Sequence, residues 1–160
     1  MAENQVVLRW IDVLRFAKYG NPEPSRRVER PAAAWAAQLT PAQLAVLRHK
    51  GTESPYRNAY CRTYAPGHYH CVGCGSLLFA ATEKYHAISG WPSFTQPATK
   101  NAVRYAFDDS LNMERIEVLC NVCDGHLGHV FPDGPAPAGL RYCLNSVSLE
   151  HRPAQPAPPG

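Results

Sequence analysis

The chain has 160 residues, 45% of them hydrophobic, so it can bury one core and gives no reason to expect a second. Its formal net charge of +3 is too small to indicate nucleic acid or an anionic membrane as a partner, because such partners usually need a clustered basic face. No segment approaches the roughly 20 apolar residues that span a bilayer, and the first ten residues do not read as a secretory signal. We therefore expect a cytoplasmic chain, in a reducing compartment where several cysteines indicate metal or catalysis more often than disulfides.

The first predicted element is an amphipathic helix over residues 6–19. Its apolar side chains recur at nearly helical spacing: Val7, Trp10, Ile11, Leu14 and Phe16. Pro22 and Pro24 break this helix, because proline fixes the backbone and disfavours helix in the residue before it. A linker is expected to about Pro31, and its basic side chains are interpreted as a solvated loop: Arg26, Arg27 and Arg30.

A second helix is predicted over residues 41–50. Thr40 can cap it, and Gln43 completes a capping box with Thr40. Pro41 suits the first helical turn, and Gly51 ends the helix.

Beyond Gly51, short apolar runs alternate with clusters of Gly, Pro and Asp, which is typical of antiparallel strands joined by turns. Four runs stand out: residues 69–71, 77–79, 116–119 and 142–149. The chain is therefore predicted to be mainly β behind short N-terminal helices. Residues 151–160 are rich in Pro and Ala and have almost nothing to bury, so we expect them to be disordered.

Two Cys-x-x-Cys pairs, Cys71 with Cys74 and Cys120 with Cys123, can each turn two thiolates toward one metal ion. Together they indicate one structural Zn²⁺ ion per chain, although the 45 residues between them exceed the usual zinc-ribbon gap. The alternative, two redox dithiols or buried thiols without metal, is disfavoured because neither pair lies in a thioredoxin-like strand–helix context. Four sulfur ligands leave no open position, so the zinc should hold the fold rather than perform chemistry.

Cys143 and Cys61 remain, and Cys143 lies in a strand-like stretch. With a period of two, Arg141 and Asn145 share its face, while Tyr142 points to the other. A guanidinium nearby lowers the pKa of a thiol, and the thiolate is the reactive form. The alternative is a buried, inert cysteine, and spacing alone does not decide between the two.

Longer motifs occur in a fixed order along the chain. They are Gly51-Thr52-Glu53, Gly90-Trp91-Pro92-Ser93-Phe94, Cys123-Asp124-Gly125-His126-Leu127-Gly128-His129-Val130-Phe131-Pro132-Asp133-Gly134-Pro135 and Gly139-Leu140-Arg141-Tyr142-Cys143-Leu144-Asn145-Ser146. In this order, and with both Cys-x-x-Cys pairs, they resemble the methionine sulfoxide reductase B family over about residues 41–149. The resemblance implies a β-tent-like fold of two antiparallel sheets, reduction of the R epimer of methionine sulfoxide and recycling by thioredoxin. Residues 1–35 would then be an extension, 36–150 the reductase domain and 151–160 a tail.

The resemblance also implies the reaction at the site. Cys143 would attack the sulfoxide sulfur, release methionine and be left as a sulfenic acid, with Arg141 favouring its thiolate. His129 would deliver protons to the sulfoxide oxygen, and His126 would help to position it. Without the family motif, the two histidines are better interpreted as a structural pair or as a second metal site.

Three further residues enter the site through the same resemblance. Asn145 would hold substrate or water by hydrogen bonds, Trp91 would form the wall against which the substrate methyl group rests, and Phe131 would close the pocket. Either aromatic side chain, taken alone, is more often part of a core.

The chain departs from the family pattern at one position. Many members carry a cysteine directly before Gly-Trp-Pro-Ser-Phe that resolves the sulfenic acid, and here that residue is Ser89. A hydroxyl cannot perform this step. Cys61 is the one thiol left, and it resembles the resolving cysteine of a subgroup, with Arg62 beside it; the alternative is an idle surface cysteine.

Two other classes of protein remain open: a non-catalytic zinc module that binds a peptide or nucleic acid, and a thiol redox sensor with the same fold. The face with Arg141, Cys143 and Asn145 favours chemistry. The expected partners are methionine sulfoxide in oxidised proteins and thioredoxin, with no nucleic acid, no membrane and a monomer by default.

Overall fold

The computed structural model describes residues 7–54, 60, 64–87, 89–110 and 114–154. Within these residues, three α-helices come first: α1 (Trp10–Tyr19), α2 (Ala32–Gln38) and α3 (Pro41–Leu47). Nine strands follow: β1 (Gly67–Cys71), β2 (Leu77–Ala80), β3 (Lys84–Tyr85), β4 (Ser93–Phe94), β5 (Val103–Asp108), β6 (Arg115–Cys120), β7 (His126–Phe131), β8 (Arg141–Leu144) and β9 (Leu149–Pro153).

The strands form two antiparallel sheets, as predicted. The small sheet has the order β2-β1-β9, and the large sheet has the order β3-β4-β8-β7-β6-β5. Aromatic side chains join them: Tyr69 of β1 lies edge-on to Phe94 of β4 at 5.2 Å between ring centroids, and Phe79 of β2 lies 5.5 Å from Tyr142 of β8. Since these rings are almost fully buried, the core lies between the sheets.

Both predicted helices are present, but they are shorter than predicted. α1 begins at Trp10, where the Asp12 carboxylate accepts the N–H of Arg9. α3 has the predicted capping box between Thr40 and Gln43. It ends at Leu47, and the N–H of Gly51 then bonds back to the carbonyl of Ala45.

One helix was missed. α2 follows the predicted linker and crosses the expected domain boundary at residue 35. Its alanines favour helix by propensity, and Trp35, buried near its centre, supplies the packing. A single large apolar residue among alanines gives no periodic pattern.

Two predictions for the C-terminal part of the chain, one of a strand and one of disorder, are corrected. The run over residues 142–149 is interrupted after Leu144, and Ser146–Ser148 form a 3₁₀ turn before β9. The tail expected to be disordered from residue 151 is paired through Pro153, because β9 completes its ladder with β1 between Gly67 and Pro153. Residues 155–160 lie outside the described residues.

Candidate active site

The register of the large sheet places one row of side chains across five strands. Ser93 pairs with both Tyr85 and Cys143, Cys143 pairs with His129, and His129 pairs with Glu117. Directly opposed residues have Cβ atoms about 5 Å apart on the same face. Tyr142 and Leu144 face the core, as the predicted alternation requires, and Cys143 therefore stands beside His129 on the outer face.

A cavity of about 350 Å³ opens over this row. It brings together six of the side chains proposed from sequence: Trp91, His129, Phe131, Arg141, Cys143 and Asn145. Five lining residues were not predicted to take part: Thr52, Ser89, Arg115, Gly128 and Leu144. His126 lies behind His129 with 5.6 Å between ring centroids, and Cys61 falls outside the described residues.

The Cys143 thiol is held between opposing influences. Burial raises its pKa, while the charge of Arg141 and hydrogen bonds from Ser89 and Arg141 lower it; burial prevails, so the pKa lies above that of a free thiol. The positive charge of Arg141 is also shared with other partners. Its Nε donates to Asp133 at 2.8 Å, and its guanidinium lies 4.4 Å above the ring centroid of Phe131. Arg141 therefore favours the thiolate without making it the dominant form.

Each histidine is held by a buried carboxylate. Nε2 of His129 lies 2.7 Å from Oδ2 of Asp108, and Nδ1 of His126 lies 2.8 Å from Oε2 of Glu117. Burial would raise the pKa of both acids, yet the hydrogen bonds that they accept hold both pKa values below the usual range. Since ionised carboxylates only accept hydrogen bonds, His129 carries its proton on Nε2 and has Nδ1 left for other contacts.

The pKa of His129 is lowered. Burial is the largest cause, and the positive charge of Arg115 acts in the same direction, against the hydrogen bond to Asp108. A neutral imidazole with a bare Nδ1 is therefore the resting form near neutral pH.

Glu53 fixes the opposite wall of the cavity. Its carbonyl accepts the indole N–H of Trp91 at 3.1 Å, and its side chain accepts the N–H of Val147 at 3.0 Å. Its own N–H donates to Oδ1 of Asn145, whose Nδ2 donates to the carbonyl of Leu127. Among the described residues, Asn145 thus bonds through its oxygen and one amide hydrogen, which leaves its second amide hydrogen for a ligand. In the sequence, Glu53 belongs to the motif Gly51-Thr52-Glu53, and no role was predicted for it.

The two Cys-x-x-Cys pairs meet at the ends of β1 and β6. All four sulfur atoms lie within 4.8 Å of one another, with 3.7 Å from Cys71 to Cys123 and 3.6 Å from Cys74 to Cys120. A tetrahedral zinc site with bonds of about 2.3 Å has sulfur–sulfur edges of about 3.8 Å. The residues therefore fit a Zn²⁺ ion. Within the described ranges, no other group of three or more such ligands was found.

The basic linker is a loop with exposed arginines, in keeping with the prediction, but these side chains also hydrogen-bond to the cysteine turns, which was not predicted. Arg27 donates to the carbonyl of Asn121 and to both carboxylate oxygens of Asp124, so it binds the second cysteine pair. Arg26 donates to the carbonyl of Cys74, and Arg30 to that of Gly73. These carbonyls lie within or beside the Cys-x-x-Cys turns, and a guanidinium is the side chain best suited to reach several of them at once.

The loop is held further by Trp35 of α2. Two guanidinium groups stack on its ring, with the Arg30 group 4.8 Å and the Arg48 group 4.5 Å from the ring centroid. Arg48 also donates to the carbonyl of Cys123. A Cβ on Gly73 would lie 3.0 Å from the Trp35 ring, so the indole rests directly on the first cysteine turn.

Comparison with known proteins agrees with this geometry. The family model of the SelR domain matches residues 39–153. The peptide methionine sulfoxide reductase MsrB of Cellvibrio japonicus is 56% identical over 117 residues, 73% of this chain and 84% of that protein. This chain belongs to the methionine sulfoxide reductase B family. MsrB of Pseudomonas aeruginosa strain UCBPP-PA14 is 49% identical over 129 residues, 81% of this chain and 98% of the relative. MsrB of Bradyrhizobium diazoefficiens is 50% identical over 127 residues, which are 79% of this chain and 91% of that protein.

The match of the SelR family model begins at residue 39, so α1, the loop that carries Arg26, Arg27 and Arg30 (the arginine loop) and α2 precede the region that this model covers. Asn21, after α1, brackets Tyr105 of edge strand β5 by accepting its N–H at 2.7 Å and donating to its carbonyl at 3.0 Å. The extension is thus joined to both the large sheet and the cysteine cluster of the reductase domain. None of the described helices is long and apolar enough to cross a membrane.

Proposed function

We propose that this chain reduces the R epimer of methionine sulfoxide, in oxidised proteins or free, to methionine, with Cys143 as the nucleophile. The observation that carries the proposal is the pairing of Cys143 with His129 inside a cavity that Trp91 and Phe131 also line. A thiol, a base and an apolar wall are the three groups that reduction of a thioether oxide needs. The names of the relatives support the same reaction.

The pKa of Cys143 makes a base useful at the first step. Nδ1 of His129 takes the thiol proton, and the Cys143 thiolate attacks the electron-poor sulfur of the sulfoxide. The sulfoxide oxygen then moves to the Cys143 sulfur and receives the proton that His129 held, while its bond to the substrate sulfur and the transient bond between the two sulfur atoms break. The products are methionine, reduced by two electrons, and Cys143 as a sulfenic acid. Asp108 stabilises the imidazolium while His129 carries the proton.

The substrate is expected to bind with its methyl group against Trp91, while Phe131 closes the cavity and the remaining amide hydrogen of Asn145 meets the sulfoxide oxygen. His126 acts through its contact with His129. These roles are part of the proposal and rest on the lining of the cavity.

Recycling requires a second thiol. Ser89 lines the cavity but cannot resolve a sulfenic acid, so we assign this step to Cys61, whose thiol displaces water from Cys143 and forms a disulfide. The dithiol of thioredoxin then reduces that disulfide. Four cysteines hold Zn²⁺, which supplies structure and no reaction step, because all four ligand positions are sulfur. A monomer in the reducing cytoplasm, without nucleic acid or membrane partners, completes the proposal.

The decisive experiment uses separated sulfoxide epimers with the wild type and Cys143→Ser, both checked for one zinc per chain. We expect turnover of the R epimer alone, and none in the variant. Persistent reduction by Cys143→Ser would contradict the mechanism. A zinc module that only binds would show no turnover in either protein, and a redox sensor would form a disulfide without catalytic cycling.

The assignment of Cys61 is tested by mapping disulfides after one turnover. A Cys61–Cys143 peptide is expected in the wild type. Cys61→Ser should release one equivalent of methionine and then stop with thioredoxin as the reductant. Normal recycling by Cys61→Ser would show that another route resolves the sulfenic acid.

A further inference from the structure

One cationic side chain contacts both of the carboxylates that hold the two histidines of the site. The Lys50 ammonium lies 3.3 Å from Oδ1 of Asp108 and 3.4 Å from Oε1 of Glu117. The second oxygens of the same two acids hold His129 and His126. One side chain therefore connects to both histidines through two buried acids.

The acids need a counter-ion at this place. The side chains of Asp108 and Glu117 are 2% and 9% exposed and stand on neighbouring strands, β5 and β6, on either side of one ammonium. Two buried carboxylates so close together repel each other, and without compensation one of them takes up a proton. Arg115 adds a positive charge 3.5 Å from Asp108. Among the described residues, however, Lys50 alone forms an ion pair with both acids, because each histidine contacts one of them.

The protonation of these acids decides which nitrogen of each histidine carries hydrogen. An ionised carboxylate accepts from an N–H, whereas a protonated one can donate and so invert the tautomer of its partner. For His129 such an inversion would place hydrogen on Nδ1, the nitrogen that has to accept the Cys143 proton.

The backbone at Lys50 is shaped for this contact. Its φ of 59° lies in the left-handed region, which is unfavourable for a residue with a side chain. The residue stands between α3 and the segment Thr52–Glu53, whose carbonyl and N–H hold Trp91 and Asn145. This turn thus places the Lys50 ammonium beside the two acids and the backbone of residues 52–53 at the cavity wall.

We propose that Lys50 is a positioning residue of the reductase, which keeps Asp108 and Glu117 ionised and thereby holds His129 and His126 in the tautomers that proton transfer requires. The kinetic part of this inference rests on the proposed function. The tautomer part does not, because it concerns the protein without substrate.

The test compares Lys50→Met, which removes the charge, with Lys50→Arg, which keeps it, and uses Lys18→Met on the exposed surface of α1 as the matched control. Single-turnover formation of methionine from the R epimer avoids the recycling step. We expect Lys50→Met to slow this rate by about tenfold or more, with substrate affinity changed less than about twofold, and Lys50→Arg to stay within about threefold of wild type. Lys18→Met should match wild type.

Nitrogen-15 spectra of the histidine rings supply a readout independent of substrate. In wild type, His129 should carry hydrogen on Nε2 and His126 on Nδ1, and Lys50→Met should mix the tautomers of at least one ring. If Lys50→Met does not fold, Lys50→Gln provides the same comparison. The expected spectra in wild type and Lys50→Met, with no turnover of sulfoxide, would contradict the proposed reaction and the kinetic part of the inference but support its tautomer part.

A double-mutant cycle decides whether Lys50 acts through the acids. In the neutral background Asp108→Asn with Glu117→Gln, Lys50→Met should change the remaining rate by less than about twofold. An equally large loss in that background, or unchanged rate and tautomers in the single variant, would overturn the proposal. Equal impairment by Lys50→Met and Lys50→Arg with wild-type tautomers would also overturn it.

Discussion

The indole N–H of Trp91 donates a 3.1 Å hydrogen bond to the carbonyl of Glu53, so the aromatic wall of the cavity is fixed by a segment thirty-eight residues earlier in the chain. The Glu53 carboxylate fixes that segment in turn through the N–H of Val147.

Removing this carboxylate should loosen substrate binding. We expect Glu53→Ala to raise KM for the sulfoxide severalfold, with kcat within about twofold, because Trp91 loses a fixed partner while Cys143 and His129 keep theirs. The lost bond should also lower the free energy of unfolding by about 1–3 kcal/mol. Steady-state kinetics and urea denaturation measure both. Glu53→Gln retains an acceptor oxygen and is the control; a KM as high as that of Glu53→Ala would contradict the argument.

The rate at which Cys143 is alkylated should depend on pH, and two variants should shift the midpoint of that pH profile in opposite directions. Burial raises the pKa of this thiol and Arg141 lowers it, so alkylation should rise with pH through a midpoint above that of a free thiol. Arg141→Met removes the favourable charge and should move the midpoint higher. Asp133→Asn frees Arg141 from its exposed partner and should move it lower.

The measurement is the alkylation rate of the Cys143 peptide by mass spectrometry, which separates it from the other cysteines. Each unit of pKa changes the thiolate fraction about tenfold below the midpoint. Shifts of the same sign in both variants would show that the charge of Arg141 is not what acts on the thiol.

The arginine loop should govern metal retention rather than catalysis. Arg27→Met removes hydrogen bonds to Asn121, which lies between Cys120 and Cys123, and to Asp124, which follows Cys123. We expect severalfold faster zinc release to a colorimetric chelator, with single-turnover reduction unchanged while the metal is bound. Arg15→Met, on the exposed face of α1, should release zinc at the wild-type rate. Equal release rates in all three proteins would remove this role.

The close approach of β7 to β8 should make Gly128 irreplaceable. A Cβ there would fall on the Cys143 carbonyl and 2.9 Å from Cα of Leu144, so the strands carrying His129 and Cys143 would separate. Gly128→Ala should destabilise the protein by about 3 kcal/mol or more. Gly139→Ala also imposes an unfavourable φ but meets nothing within 4 Å, and it should cost about 1 kcal/mol. Thermal denaturation compares the two, and similar losses would contradict the steric account.

The features that could be predicted from the sequence depend on residues close together in the chain. The cysteine turns and the alternation that separates Cys143 from Tyr142 are settled by spacings of one to three residues. β3 and β4, with two residues each, are too short to leave a periodic signal.

The carboxylates of the site could not be found in this way. Asp108 and Glu117 meet the histidines only because β5, β6 and β7 pair in one register, and that register depends on the whole sheet. A buried histidine with a catalytic role usually has an acceptor for its second nitrogen, and that requirement was the signal available in the sequence. The contacts of Arg26 and Arg27 were missed for a similar reason, since their acceptors are backbone carbonyls, which no side-chain pattern reveals.

The strand register that pairs the residues from Tyr85 to Glu117 determines two things at once. It decides which side chains meet at the cavity and which are buried between the sheets. Shifting β8 by a single residue would place the Tyr142 ring in the cavity and the Cys143 thiol among the aromatic rings between the sheets. A chain that pairs wrongly at this strand would therefore lose its proposed nucleophile and its core together, so we expect reductase activity to report correctly folded molecules.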